Sequence, residues 1–151
     1  KAAKIDWPEA VALAKDAESL YVLARGPSLP IAVETALKLK ETCAIHAEAY
    51  SIAEVMHGPL ELLGEGFPVL AYSPEDGARK SSRESLGKMR QTGAQVLVAE
   101  EGGLSYAHTG NSLLDPISII QTAYRFVEAT AVARGRNPDK PRLLKKVTET
   151  V

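Results

Sequence analysis

The run ALKLKETCAIHAEAYSIAEVMHGP, residues 36–59, concentrates acidic, basic and imidazole groups in a segment otherwise rich in Ala, Leu and Ile. Together with Glu34 just before it, the segment carries Lys38, Glu41, Glu48, Glu54 and His57. On a helix, Glu34, Lys38 and Glu41 fall at i, i+4 and i+7 and share one face. Ala32, Ala36, Leu39 and Cys43 fall on the opposite face, the apolar stripe expected to be buried. A carboxylate can take a proton and return it on one face of a substrate if burial brings its pKa toward the working pH, and Glu41 lies near the end of this helix. His57 precedes Gly58-Pro59, which fixes a tight backbone, and imidazole suits proton exchange near neutral pH. An ordinary amphipathic helix, its Glu34–Lys38 pair adding roughly 0.3 kcal/mol, accounts for the same spacing without chemistry.

The elements that must position these groups follow from pattern. Residues 7–17 have Pro8 at a helix start, and residues 19–25 are a short apolar strand closed by Gly26-Pro27-Ser28. Pro30 opens a helix to about Thr42, residues 45–51 read as a second strand, and residues 52–63 as a short helix broken at Gly58-Pro59. Residues 67–72 and 94–99 are a third and fourth strand, with a polar helix over 76–92 between them that has Leu86 and Met89 as its apolar contacts. Arg79, Lys80, Arg83, Lys88 and Arg90 read as its solvated face. Residues 104–109 are a weaker fifth strand. Asp115-Pro116 predicts a helix with Asp115 as N-cap, ending at Gly135, with a seam of Ile117, Ile120, Tyr124, Val127 and Ala131. His46 and His108 read as structural groups near strand ends.

Alternating strands and helices predict an α/β domain: a three-layer αβα sandwich around a mostly parallel five-stranded sheet. Ligands of such sheets bind beyond the carboxyl ends of the strands. Arg25, Gly26 and Ser28 lie at such an end, where a helix N-terminus could receive an anion, although Gly-Pro-Ser after a strand is also simply a turn.

The chain's 151 residues suffice for one compact domain, and a net charge of −1 argues against nucleic acid as the main partner. No apolar run is long enough to span a bilayer, and no secretory signal opens the chain, so no membrane partner is expected. Cys43 is the only cysteine, which excludes an internal disulfide and fits a reducing, cytoplasmic setting; on the apolar face it reads as core. His46, His57 and His108 lack a metal-ligand spacing, so no structural metal is expected. The chain starts at Lys1 rather than Met, as a piece of a longer protein would, and its site is then expected to be half present.

The stretch RGPSLPIAVETALKLKETCAIHAEAYSIAEVMHGPLELL resembles the sugar isomerase (SIS) domain family, in particular the second SIS domain of glucosamine-6-phosphate synthase and of related isomerases and deaminases. The likeness runs through NPDKPRLLKKVTETV, so it covers nearly all of residues 1–151, with 136–151 as a tail that contributes to the site. The tail form KVTET leans toward the stand-alone deaminases. The resemblance implies hexose or hexosamine 6-phosphate as ligand, no metal or redox cofactor, a second SIS domain and a homodimer. It makes Glu41 the base that moves a proton between C1 and C2, and His57 the ring-opening group that serves the neighbouring subunit's site. It makes Lys146 the amine that forms a Schiff base with an open-chain ketose, with Lys145 left as the alternative, and Glu34 and Lys38 the supports of the catalytic helix. The family's Ser/Thr-rich phosphate loop belongs to its first SIS domain and has no counterpart here.

These readings converge on interconversion of glucosamine 6-phosphate and fructose 6-phosphate. Two alternatives stay open: a non-catalytic sugar-phosphate-binding module of a regulator, and the isomerase part of a glutamine-dependent synthase. A regulator has no need of Glu41, His57 and the lysine tail together.

Overall fold

A computed structural model describes residues 1–144. The elements run α1 (Pro8–Ala14), β1 (Ser19–Ala24), α2 (Leu29–Lys38), β2 (His46–Ser51), β3 (Pro68–Tyr72), α3 (Arg79–Gln91), β4 (Gln95–Ala99) and α4 (Asp115–Ala133). The strands pair in parallel in the order β2-β1-β3-β4. Successive side chains of a strand point to opposite faces, and here both faces are covered. Leu20, Val22, Ala24, Leu70 and Tyr72 join one core with α1, α2 and α4; Tyr21, Leu23, Val69 and Ala71 join the other with α3 and the turns after β2. This is the expected three-layer arrangement.

The apolar stripe of α2 is buried as its spacing predicts, with Ala32, Ala36, Leu39 and Cys43 all in the first core. Leu86 and Met89 anchor the polar α3 in the second. Residues 54–62 form two short 3-10 turns, Glu54–His57 and Pro59–Leu62, separated at Gly58. Gly58 has φ +157, a conformation that side-chain-bearing residues rarely adopt. Trp7 joins α1 to the sheet: its ring centroid lies 6.1 Å from that of Tyr72 and its Nε1 donates to Ser105 O at 2.8 Å. No helix among the described residues is long and apolar enough to cross a membrane.

Four expectations need correction. The described sheet has four strands, not five. The 104–109 run contributes one isolated bridge, Ala99 to Leu104, because side chains claim its backbone groups. Ser105 O accepts from Trp7, Ala107 O accepts from Ser118, and Thr109 N donates to Asp115 Oδ1 at 2.8 Å. Asp115, secondly, is the first helical residue rather than the N-cap; its carboxylate is buried and spent on Thr109. The seam of α4, thirdly, is only half buried: Val127 and Ala131 are inside, while Ile117 and Tyr124 are 59% and 45% exposed, because the helix turns a face centred on Ile119, Ala123 and Phe126 toward the core. Arg79, finally, is not solvated. Its side chain is 14% exposed, with Glu75 at 3.1 Å and Glu101 at 3.5 Å. Of the histidines read as structural, His46 is largely exposed, 3.9 Å from Glu48, whereas His108 lies against Tyr106 with ring centroids 4.0 Å apart.

The end of α4 locks the domain. Gly135 (φ +69) closes a Schellman turn in which Arg136 N donates to Ala131 O and Gly135 N to Val132 O, both at 2.9 Å. Arg134 then reaches across the base of the fold. Its Nε donates to Cys43 O at 2.9 Å, and its Nη1 to Lys15 O at 2.6 Å and Ala17 O at 3.0 Å. Arg134→Ala strands these carbonyls, so it should lower the unfolding free energy by roughly 2–3 kcal/mol. Arg125→Ala, which removes an exposed pair with Asp6 at 2.7 Å, should cost less than about 1 kcal/mol. Urea unfolding of the two variants tests the contrast, and equal losses would show that the Arg134 bonds are not special.

Candidate functional site

The helical ladder of α2 widens into a single π turn, Leu39–Cys43, with Glu41 at its centre. Such turns concentrate at functional sites because they re-aim one side chain within a helix. Leu39 O receives the N–H groups of both Ala44 and Ile45, and Ala44 takes φ +51, the one described non-glycine residue in the left-handed region. An alanine held there costs roughly 1 kcal/mol, which the closing hydrogen bonds and the Arg134–Cys43 contact offset.

Lys38 Nζ lies 2.6 Å from Glu41 Oε2 and 3.8 Å from Glu34 Oε1, so the three charged residues of one helical face meet as their spacing predicts. The hydrogen bond to Glu41 raises the Lys38 pKa, ahead of burial, which lowers it; the ammonium therefore stays charged at any neutral pH. Tyr124 on α4 donates to Glu34 Oε1 at 3.0 Å. Glu41 also lines a cleft of about 300 Å³ with Lys40, Ala44, Arg136, Arg142, Leu143 and Leu144. Against one carboxylate already paired with Lys38, this cleft presents Lys40, Arg136 and Arg142, an excess of positive charge suited to an anionic ligand.

The remaining sequence-predicted residues are not gathered here. Arg25, Gly26 and Ser28 stand at the start of α2 and Glu41 just past its end, so the ten residues of α2 put about 15 Å between them. Arg25 Nη1 donates to Ser81 Oγ at 2.7 Å, and Ser28 is fully buried with its Oγ unpartnered. His57 is exposed on a turn whose Val55 is buried in the second core, whereas Glu41 follows the helix of the first. The sheet stands between the two, and no hydrogen bond or ion pair links them among the described residues. Lys146 and Lys145 lie outside the described residues; Leu144, the residue before them, lines the Glu41 cleft. No group of three or more His, Cys, Asp or Glu is placed to hold a metal among the described residues.

Sequence reasoning passed over Tyr124, Lys40, Arg136 and Arg142. Arg136 was signalled by its place just past a glycine C-cap, where cations collect. Tyr124 was hidden because an aromatic at apolar spacing reads as core.

Comparison with known proteins bears on the family and the fold. The SIS domain model matches residues 13–99. A glutamine–fructose-6-phosphate aminotransferase (isomerizing) of Aeropyrum pernix is 38% identical over 153 aligned positions, 91% of this chain and 24% of that protein. One of Pyrobaculum aerophilum is 36% identical over 85% of this chain and 23% of its own length. The chain thus spans about a quarter of these relatives. Among solved structures, a protein of Silicibacter pomeroyi assigned as a phosphosugar isomerase is 42% identical with TM-score 0.82, covering 91% of this chain and 44% of that one. A glucosamine-6-phosphate deaminase of Thermotoga maritima has TM-score 0.74 and 26% identity over 92% of this chain and 46% of that one. Half the chain or more falls within the family match, and its parallel αβα sheet is the fold of these structures: the chain belongs to the SIS domain family.

Proposed function

We propose that this chain is the catalytic SIS unit of a hexosamine-phosphate isomerase or deaminase, with Glu41 as the base. The observation that supports this most is the Lys38–Glu41 pair at 2.6 Å at the mouth of a cationic cleft. The substrate is an open-chain hexosamine 6-phosphate. Glu41 removes the proton from C2 and returns it to C1. The electron pair of the broken C2–H bond moves through the enolamine, leaving an imine at C2. Water adds to that imine, ammonia departs, and fructose 6-phosphate remains. The ammonium of Lys38 supports this cycle by holding the carboxylate in one orientation, so that the same oxygen gives and takes the proton. Lys146, or its neighbour Lys145, supplies the amine toward the ketose carbonyl, a reading supported by the place of the described residues Arg142, Leu143 and Leu144 in the lining of the cleft. A second SIS domain supplies the phosphate anchor. The isomerase part of a synthase is the second reading, favoured by the name of the curated relatives at 36–38% identity. Ammonia formed from glutamine by the full-length protein selects it, and ammonia formed from glucosamine 6-phosphate selects the deaminase.

Glu41→Gln keeps the side chain's shape and removes its basicity. In the full-length enzyme it should lower solvent-deuterium exchange into fructose 6-phosphate on the order of a thousandfold while leaving sugar-phosphate binding nearly unchanged. Exchange at the wild-type rate would assign the base elsewhere.

The separation of His57 from Glu41 supports a site shared between subunits, with His57 opening the sugar ring for its neighbour. Mixing the inactive His57→Ala and Glu41→Gln full-length proteins should then recover activity. Half of randomly paired dimers are mixed and each has one intact site, so recovery should approach about a quarter of wild type. A mixture that stays inactive after subunit exchange, verified by mass spectrometry, would place both groups in one chain.

A further inference from the structure

Lys38 stands between two carboxylates and is not shared equally. Its Nζ is 2.6 Å from Glu41 Oε2 but 3.8 Å from Glu34 Oε1. Both spacings are geometrically open to a lysine on a helix, at i+3 and i+4, and the i,i+4 pair with the glutamate N-terminal is the ordinarily favoured one. Something must therefore weaken the pull of Glu34. The Glu34 oxygen that faces Lys38 is Oε1, and this same atom accepts the hydroxyl of Tyr124 at 3.0 Å. A carboxylate oxygen that receives a strong donor has part of its charge already satisfied and competes less for a second cation.

We propose that Tyr124 is a positioning residue for proton transfer: by occupying Glu34 Oε1 it leaves the Lys38 ammonium committed to Glu41 and so fixes the carboxylate that acts as the base. The inference rests on the reading of Glu41 given above. It also explains an otherwise unaccounted residue. Tyr124 is 45% exposed on α4, where a tyrosine with no task would lie among the solvated side chains. Instead its hydroxyl ends on Glu34 of α2, a charged group of the candidate site. Burial, then the hydrogen bond to Glu34, raise the Tyr124 pKa, with Lys38 opposing, so the phenol stays protonated and remains a donor at neutral pH. Phe or Leu at this position could fill the same space against α2, but neither has a donor to hold Glu34 Oε1.

The test uses the full-length enzyme and Tyr124→Phe, which deletes the hydroxyl and keeps the ring. Its kcat for solvent-deuterium exchange should fall about tenfold, as a small misplacement of a reacting group does, with KM within about twofold and an unchanged thermal midpoint. A purely structural tyrosine would move the midpoint or KM instead. Repeating the substitution in a Glu34→Ala background isolates the route, because Tyr124 acts through Glu34 alone: there, the hydroxyl should make no further difference. An unchanged kcat in Tyr124→Phe, or a full tenfold loss that persists without Glu34, overturns the proposal. Glu41→Gln keeps the two readings apart. If it retains exchange, the base assignment fails; if it abolishes exchange while Tyr124→Phe is silent, only the positioning role fails.

Discussion

One guanidinium collects the backbone ends of two helices. Arg134 takes carbonyls from the end of α1 (Lys15 and Ala17) and from the π turn that carries Glu41 (Cys43). The last carbonyls of a helix have no partner within it, and leaving them unpaired against protein costs free energy. Here a single side chain from α4 satisfies both sets, so the three helices on one face of the sheet share a common lock. Two residues further on, past the Gly135 cap, Arg136 reaches the Glu41 cleft. The candidate base, the wall of its cleft and the end of α4 thus meet at one contact, on an α4 already docked by its apolar face.

A second constraint is topological. A parallel strand pair requires a crossover, and the helix that makes it runs back along the sheet. Hence α2 begins beside the carboxyl end of β1, with Arg25 and Ser28, and finishes near the amino end of β2, with Glu41. The two groups of polar residues that flank α2 in sequence are consecutive on paper and a helix apart in space. His57 follows β2 and folds onto the other face. In a chain of this connectivity Glu41 and His57 stand on different layers of the sheet, Glu41 beside the first core and His57 beside the second. The uncovered apolar side chains of α2 and α4, among them Val33 and Ile117, lie on the same layer as the candidate base.

Much of this was legible in the sequence, for physical reasons that differ by element. The buried stripe of α2 and the charged face of Glu34, Lys38 and Glu41 are set by a 3.6-residue period, which the backbone imposes locally. β1 and β3 were readable because they are central, buried on both faces and apolar in nearly continuous runs; the edge strands β2 and β4 are more polar and only partly buried. The errors arise where tertiary contacts override local pattern. Residues 104–109 have strand-like composition, but Trp7, Ser118 and Asp115 take their hydrogen bonds. Asp115 looks like a cap and is spent on Thr109. Arg79 looks solvated and is enclosed by Glu75 from the turn before its helix and by Glu100 and Glu101 from the turn after β4. Tyr124 fits an apolar period while its hydroxyl is the part that matters, and periodicity weighs only the ring.

The energetics of the charged triad bear on the role proposed for it. The side chains of Lys38, Glu34 and Glu41 are each about one-third exposed, and ion pairs open to water contribute at most about 1 kcal/mol to stability. A fold stabilised by two full cores and the Arg134 lock gains little from them. What water cannot provide is direction: a paired carboxylate samples far fewer orientations than a free one, and a base that returns a proton to the carbon next to the one it came from must not reorient in between. The π turn and the left-handed Ala44 fix the backbone that carries Glu41, and Lys38 holds its carboxylate directly, while the Tyr124 hydroxyl binds the neighbouring Glu34. Each carries some strain or gives up a solvated state, and all of them lie within the Glu34, Lys38 and Glu41 cluster.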